Sequence, residues 1–110
     1  MKRVRRYIEN RTDYYMYVAV QDTHKHNLLK KKIPPTEVAE FILEYSDYSS
    51  DFNHMTRLTT GIEIGGDFFQ TIFSAYEVDV GLDVFFNTYP KIVILFELEK
   101  CSFYLLAENH

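Results

Sequence analysis

The sequence has little of what cross-links a chain or anchors it in a membrane. Its single cysteine, Cys101, cannot form an internal disulfide, which is typical of a reducing compartment. The longest apolar run, Ile92 to Phe96, is too short to cross a bilayer. The basic segment MKRVRRYIENR lacks the apolar stretch of a secretory signal. We therefore expect no membrane contact and a cytoplasmic protein, or one in the host cytoplasm if it comes from a virus or mobile element.

Tryptophan is absent, and there is no internal repeat, low-complexity tract or Gly/Ser linker. The 110 residues suit one domain over 1–110, and 46% hydrophobic with 25% charged residues is ordinary globular composition. Nine phenylalanines and nine tyrosines are unusual. The phenylalanines are expected in the core. Some tyrosines must lie at the surface, because every buried hydroxyl needs a partner.

Charge is divided unevenly along the chain. Residues 1–32 hold nine basic and three acidic side chains, whereas 33–110 hold three basic and thirteen acidic ones. The first segment therefore carries +6 and the second −10. Such a division indicates an electrostatic partner, or one segment neutralising the other.

The clearest helix signal follows Pro34 and Pro35. Proline suits the first turn of a helix, and Thr36 is a good N-cap residue. One helical face then recurs at the right spacing, formed by Val38, Phe41, Ile42 and Tyr45. We predict a helix that ends in the polar cluster 46–51.

Other segments give weaker signals. Residues 1–11 are predicted to be a basic N-terminal arm or a short helix, 13–20 and 58–64 strands, and 21–32 a polar loop. The spacing of Phe68, Phe69, Ile72, Phe73 and Tyr76 favours a helix over 68–76. Their composition favours a strand, which stays open as the alternative.

Residues 78–84, 91–98 and 103–107 are predicted to form a three-stranded C-terminal meander. The predicted fold class is therefore α+β. It comprises a single domain whose antiparallel sheet, the meander plus an N-terminal strand, packs with one or two helices.

Register within the meander predicts an acidic face. A turn over 87–90 sets Val84 opposite Ile94, and a one-residue slip would bury carboxylates. The favoured register gathers on one face Glu77, Asp79, Asp83, Glu97 and Glu99. The predicted helix adds Glu37, Glu40, Glu44 and Asp47.

No catalytic constellation is present in the sequence. His24 and His26 lack the further ligands of a zinc site, and Cys101 has no local base. Gly65-Gly66-Asp67 lacks the rest of a phosphate-binding motif and is interpreted as a turn. We therefore predict no enzyme, no catalytic residue, no metal and no cofactor.

The leading hypothesis is a non-enzymatic protein-binding module. Its acidic, tyrosine-bearing face would dock onto a basic, nucleic-acid-handling partner, as inhibitors and immunity or anti-defence proteins do.

The alternative hypothesis is a small nucleic-acid-binding accessory protein. It would use cations and rings of the N-terminal segment: Lys2, Arg3, Arg5, Arg6, Tyr14, Tyr15 and Tyr17. A third hypothesis is a homo-oligomer in which the +6 and −10 segments meet head to tail.

Overall fold

A computed structural model describes residues 2–22, 26–45, 55–74 and 89–109, and these residues are predominantly β-structure. The strands within these ranges are β1 Lys2–Asn10, β2 Met16–Asp22, β3 Asn27–Ile33, β4 Val38–Tyr45, β5 Met55–Ile64, β6 Asp67–Ser74, β7 Lys91–Glu97 and β8 Ser102–Glu108. One 3₁₀ turn, Leu98–Lys100, joins β7 to β8.

The strands form two four-stranded sheets. Sheet A has the order β4-β1-β7-β8, and sheet B has the order β3-β2-β5-β6. Every neighbouring pair is antiparallel except β1 and β7, which are parallel. The first strand of the chain therefore lies inside sheet A, between β4 and β7.

The core lies between the sheets, because alternate residues of each strand point inward. One buried cluster contains residues of both sheets: Ile8, Met16, Val18, Val20, Ile33, Ala39, Phe41, Leu43, Leu58, Ile62, Ile92 and Ile94. Phe96 of β7 extends it, since its ring centroid lies 5.5 Å from that of Phe69 and 4.8 Å from that of Phe103. These three rings link β6 of sheet B to β7 and β8 of sheet A.

Asn10 fixes the opposite side of the sandwich. Its fully buried side-chain amide donates to the carbonyls of Tyr14, Ile33 and Pro34, at 2.7, 2.9 and 3.1 Å. Its side-chain oxygen accepts from the backbone N–H and the hydroxyl of Thr12. One polar side chain thus ties the end of β1 to the bend before β2 and to the corner between β3 and β4.

The predicted helix after Pro34-Pro35-Thr36 is wrong, because this segment is strand β4. Thr36 has a φ of 66° and the Glu37 amide donates to the Pro34 carbonyl, so these residues form a tight turn between the sheets. Ala39, Phe41 and Leu43 are buried at period two. The helical stripe was misleading because Val38 and Ile42, which complete it, lie exposed on the outer face.

The predicted helix over 68–76 is also wrong as far as Ser74, where the structure has β6. Gly65 and Gly66, with φ of 57° and 89°, form a two-residue hairpin turn, and Ile64 pairs with Asp67. The strand alternative is the correct one. Inward rings of Phe69 and Phe73 alternate with outward residues, so both periods fitted this apolar run.

The predictions for the N-terminal third also need correction. Residues 1–11 contain β1 rather than an arm or helix, and the predicted loop 21–32 contains most of β3. The strands predicted over 58–64, 91–98 and 103–107 are confirmed as β5, β7 and β8. The strand predicted over 78–84 lies outside the described residues. With two β-sheets and no α-helix among the described residues, the α+β fold class is wrong.

Candidate functional site

The outer face of sheet B carries the most distinctive group of exposed side chains. Strand register sets Lys32, Tyr17, Gly61 and Gln70 in one row across β3, β2, β5 and β6. The next row holds Lys30, Ala19, Thr59 and Ile72. Because Gly61 in the first row and Ala19 and Thr59 in the second are small, the centre of this face is low beside the Tyr17 ring.

Three aromatic rings are exposed around this low centre. Phe68 is 54% exposed and its ring lies across Gly61, where an added Cβ would be 2.6 Å from the ring Cζ. The ring of Tyr17 meets Phe68 edge-on at a centroid distance of 6.3 Å. Tyr15 lies two residues before Tyr17 on the same face and is also exposed. Gly61 therefore leaves room for the tip of the Phe68 ring, which a side chain at this position would displace.

Lysines of the edge strand β3 flank the rings. The Lys32 Nζ lies 5.1 Å from the ring centroids of both Tyr15 and Tyr17, within cation–π range. Lys30 is exposed one row further, and Arg57 of β5 is exposed beyond Thr59. Among the described residues, no carboxylate lies within ion-pair distance of Lys30, Lys32 or Arg57. This face therefore presents cations that make no ion pair with a described carboxylate.

Rings and lysines together enclose a groove of about 440 Å³. We call it the aromatic groove and define it by Tyr17, Ala19, Lys30, Lys32, Gly61 and Phe68. Its floor is mostly apolar and its β3 rim is cationic. Such a surface can stack a planar ring and hold an adjacent anion.

The outer face of sheet A is electrostatically different. Arg11 makes a two-pronged ion pair with Glu108, at 3.0 Å for each nitrogen, and also contacts Glu9. Lys91 lies 2.9 Å from Glu9 and 3.1 Å from Glu108. The four side chains form a closed ring of alternating charge across β1, β7 and β8, which we call the ion-pair ring.

The ion-pair ring shifts the pKa of each member. Hydrogen bonds from Arg11 and then Lys91 lower the pKa of Glu9 and of Glu108 below the usual 4.5. Hydrogen bonds to Glu9 and then Glu108 raise the pKa of Lys91. All four groups therefore stay charged near neutral pH and cancel one another.

The acidic set predicted from sequence is only partly described. Asp47, Glu77, Asp79 and Asp83 lie outside the described residues, and Glu44 is placed on β4 opposite Arg3. Glu37 directly precedes β4 and Glu40 lies in its first half, whereas Glu97 ends β7 and Glu99 lies in the 3₁₀ turn. Glu40 is level with Tyr7 and Lys91, so Glu97 is six residues further along, or roughly 20 Å.

Two of these carboxylates already have cationic partners. Arg5 lies 3.4 Å from Glu40, and Lys100 lies 3.9 Å from Glu97. Glu97 also accepts a hydrogen bond from Tyr104, which raises the pKa of that tyrosine. The described members of the set therefore do not form one unneutralised surface.

The cations and tyrosines of the predicted N-terminal nucleic-acid-binding segment lie on different sheets. Lys2, Arg3, Arg5 and Arg6 lie on β1 of sheet A, and Arg6 points to the core side. Tyr14 packs against the core, while Tyr15 and Tyr17 lie on the outer face of sheet B. The tyrosines therefore meet the lysines of β3 rather than the arginines of β1.

Four residues of this face were not predicted as site residues from the sequence: Lys30, Lys32, Gly61 and Phe68. The lysines were assigned to a loop, although lysine is a common protector of edge strands. The Gly65-Gly66 pair between two apolar runs is itself a hairpin signal. Extending strands from it pairs Gly61 with Gln70 and would have placed Phe68 beside Gly61.

Comparisons with known proteins give no further guidance, since no family model, curated protein or solved structure matches the chain. Within the described ranges, no three His, Cys, Asp or Glu side chains lie together as metal ligands would. No helix in the same ranges has the length and apolarity needed to span a membrane.

Proposed function

We propose that this protein binds single-stranded nucleic acid on the outer face of sheet B, without catalysing a reaction. The supporting observation is the aromatic groove, where exposed rings share one sheet face with lysines that no described carboxylate pairs with. Rings stack on bases of any sequence, and lysines beside them meet the phosphates. Each stacked base contributes about 1–3 kcal/mol in comparable proteins.

The charge distribution supports this face despite the net charge of −4. Local potential near the phosphates matters more than net charge, because exposed charges further away than a Debye length of about 8 Å are screened. On sheet A, Glu9, Glu108 and Glu40 are paired with cations. On sheet B the lysines face the solvent.

Docking of an acidic face onto a basic protein is a weaker proposal on this structure. It requires carboxylates that share one surface and lack internal partners, whereas Glu40 and Glu97 are paired and lie far apart. For a cytoplasmic location, the support remains the lone Cys101, which is exposed.

The test is fluorescence anisotropy with a labelled oligothymidylate of about ten nucleotides. We expect binding that weakens with salt, with a slope of about −2 in log K against log salt if Lys30, Lys32 and Arg57 each meet a phosphate. Tyr17→Ala should weaken binding about tenfold, because one stacked base loses its platform. Lys30→Ala should reduce the size of the slope by about 0.7.

Matched substitutions on sheet A provide the controls. Tyr104→Ala and Lys100→Ala remove an exposed tyrosine and an exposed lysine from the other sheet, and we expect both to bind like the parent chain. Equal losses from Tyr17→Ala and Tyr104→Ala would contradict the assigned face. Absence of binding at low salt, together with capture of a basic protein, would favour the acidic-face hypothesis instead.

A further inference from the structure

A second groove continues the aromatic groove toward the bend before β2. It has a volume of about 380 Å³ and shares Tyr17 and Lys32 with the aromatic groove. Its other walls include Tyr15, Asp13 and Glu63. The two grooves therefore form one trough whose ends differ in charge. Lys30 lines only the first end, Asp13 and Glu63 line only the second, and Lys32 lies where the two meet.

Strand pairing places the backbone of Glu63 at the edge of this trough. It lies near the end of β5, paired with Phe68 across the hairpin, and Tyr15, the residue before β2, lines the same groove. Its side chain is exposed, and no described cation lies within ion-pair distance of it or of Asp13. A planar group stacked on Tyr15 or Phe68 would therefore have its edge close to the Glu63 carboxylate.

A carboxylate only accepts hydrogen bonds, so it selects among bases by the donors at their edges. Guanine offers two adjacent donors, the N1–H and the 2-amino group, which match the two carboxylate oxygens. Thymine and uracil offer one N–H between two carbonyl oxygens, and those oxygens repel a carboxylate. Among unpaired bases, whose Watson–Crick edges are open to contact, guanine fits best.

We propose that Glu63, assisted by Asp13, gives this trough a preference for guanine in single strands. This inference rests on the proposed function, since a base must first stack on the rings of sheet B. The lysine end then holds the neighbouring phosphates, and the carboxylate end reads the base. A paired, two-point contact of this kind discriminates by about tenfold or more against a base that cannot make it.

The test compares three labelled oligonucleotides of about ten residues: oligothymidylate, the same strand with one central guanine, and the same strand with inosine at that place. We expect the guanine strand to bind about tenfold more tightly than oligothymidylate. The inosine strand should fall between them, because inosine keeps the N1–H and lacks the 2-amino group.

Substitution of the carboxylate provides the matched variant. Glu63→Gln keeps the size of the side chain but replaces one acceptor by a donor, so the guanine preference should disappear while oligothymidylate binding remains. Glu99→Gln, an exposed carboxylate in the 3₁₀ turn, should leave the preference unchanged.

The outcomes separate this inference from the proposed function. Equal affinity for the thymine and guanine strands would overturn guanine selection and leave single-strand binding standing. Failure of all three strands to bind would overturn both. Guanosine monophosphate could also compete at the same concentration as the oligonucleotide. In that case guanine recognition would stand, but the ligand would be a free nucleotide rather than a single strand.

Discussion

Thr60 is fully buried near the middle of β5, between Val18 of β2 and Thr71 of β6. Within the described ranges its hydroxyl has no hydrogen-bond partner, so it loses its contacts with water without replacement. Thr60→Val keeps the branched shape and removes the hydroxyl. We expect the free energy of unfolding to rise by about 1 kcal/mol. The measurement is urea denaturation, with a higher midpoint and an unchanged m-value.

Thr56, four residues earlier on the same strand, is the control for this prediction. It is also buried, but its hydroxyl donates to the Asp22 carbonyl at 2.8 Å. Thr56→Val should therefore lower the free energy of unfolding by about 1 kcal/mol, since an acceptor loses its donor. Shifts of the same sign in both variants would mean that hydroxyl satisfaction does not decide their stability.

At the scale of the element, the β5–β6 hairpin depends on a close approach between Gly61 and Phe68. Gly61→Val would place side-chain atoms where the Phe68 ring now lies and would move that ring off the sheet. Valine also favours strands more than glycine does. We expect stability to be kept or to rise, while oligonucleotide binding weakens about tenfold because a stacking platform is lost.

A control in the same hairpin separates ring position from stability. Ile72→Val exchanges one β-branched side chain for another on the same outer face, on β6 opposite Thr59 and outside the groove lining. It should leave Phe68 in place and binding unchanged. Equal losses of oligonucleotide affinity in the two variants would show that the position of the Phe68 ring does not determine binding.

Element types could be predicted from sequence only where one period dominates. Strands β7 and β8 were predicted correctly because they consist mostly of apolar residues, many of them the β-branched and aromatic types that favour strands. Strand β4 was missed because Ala39, Phe41 and Leu43 face the core while Val38 and Ile42 stay exposed on the other side. When both faces of a strand carry apolar residues, some of them recur at helical spacing by coincidence. Which side chains are buried decides between helix and strand here. Burial depends on the partner sheet, so it cannot be predicted from the sequence of the segment alone.

The candidate site was predictable to a similar extent. Tyr15 and Tyr17 were named from their position among cations, because stacking rings beside lysines or arginines is a local pattern. Their actual cationic neighbour, Lys32, is brought close by pairing of β2 with β3. Phe68 arrives from another hairpin altogether. Pairing between distant strands is set by the whole fold, so the local pattern could not identify these contacts.

For the whole molecule, the ion-pair ring makes stability depend on pH. The folded state lowers the pKa of Glu9 and Glu108 below the usual 4.5, so these groups stabilise the fold above that pH. The contribution is lost as the pH falls through the folded-state values. We expect the melting temperature to decline between about pH 5 and pH 3, measured by circular dichroism.

Lys91→Met provides the comparison for this pH dependence. It removes one cation from the ring, so the two carboxylates should titrate closer to their usual pKa. The variant should be less stable at neutral pH and should lose less stability on acidification. Lys100→Met, outside the ring, should retain the decline of the parent chain. An unchanged acid profile in Lys91→Met would show that the ring is not its source.

The parallel pairing of β1 with β7 has a consequence for how the protein is made. Glu9 and Lys91, which this pairing brings together, are 82 residues apart in sequence. A ribosome releases β1 long before β7. Until β7 is made, the edge of β1 around Ile8 lacks its hydrogen-bonding partner strand. Domains dominated by such distant pairings fold on the order of milliseconds to seconds. The nascent chain is therefore most vulnerable to aggregation just before residue 91 emerges.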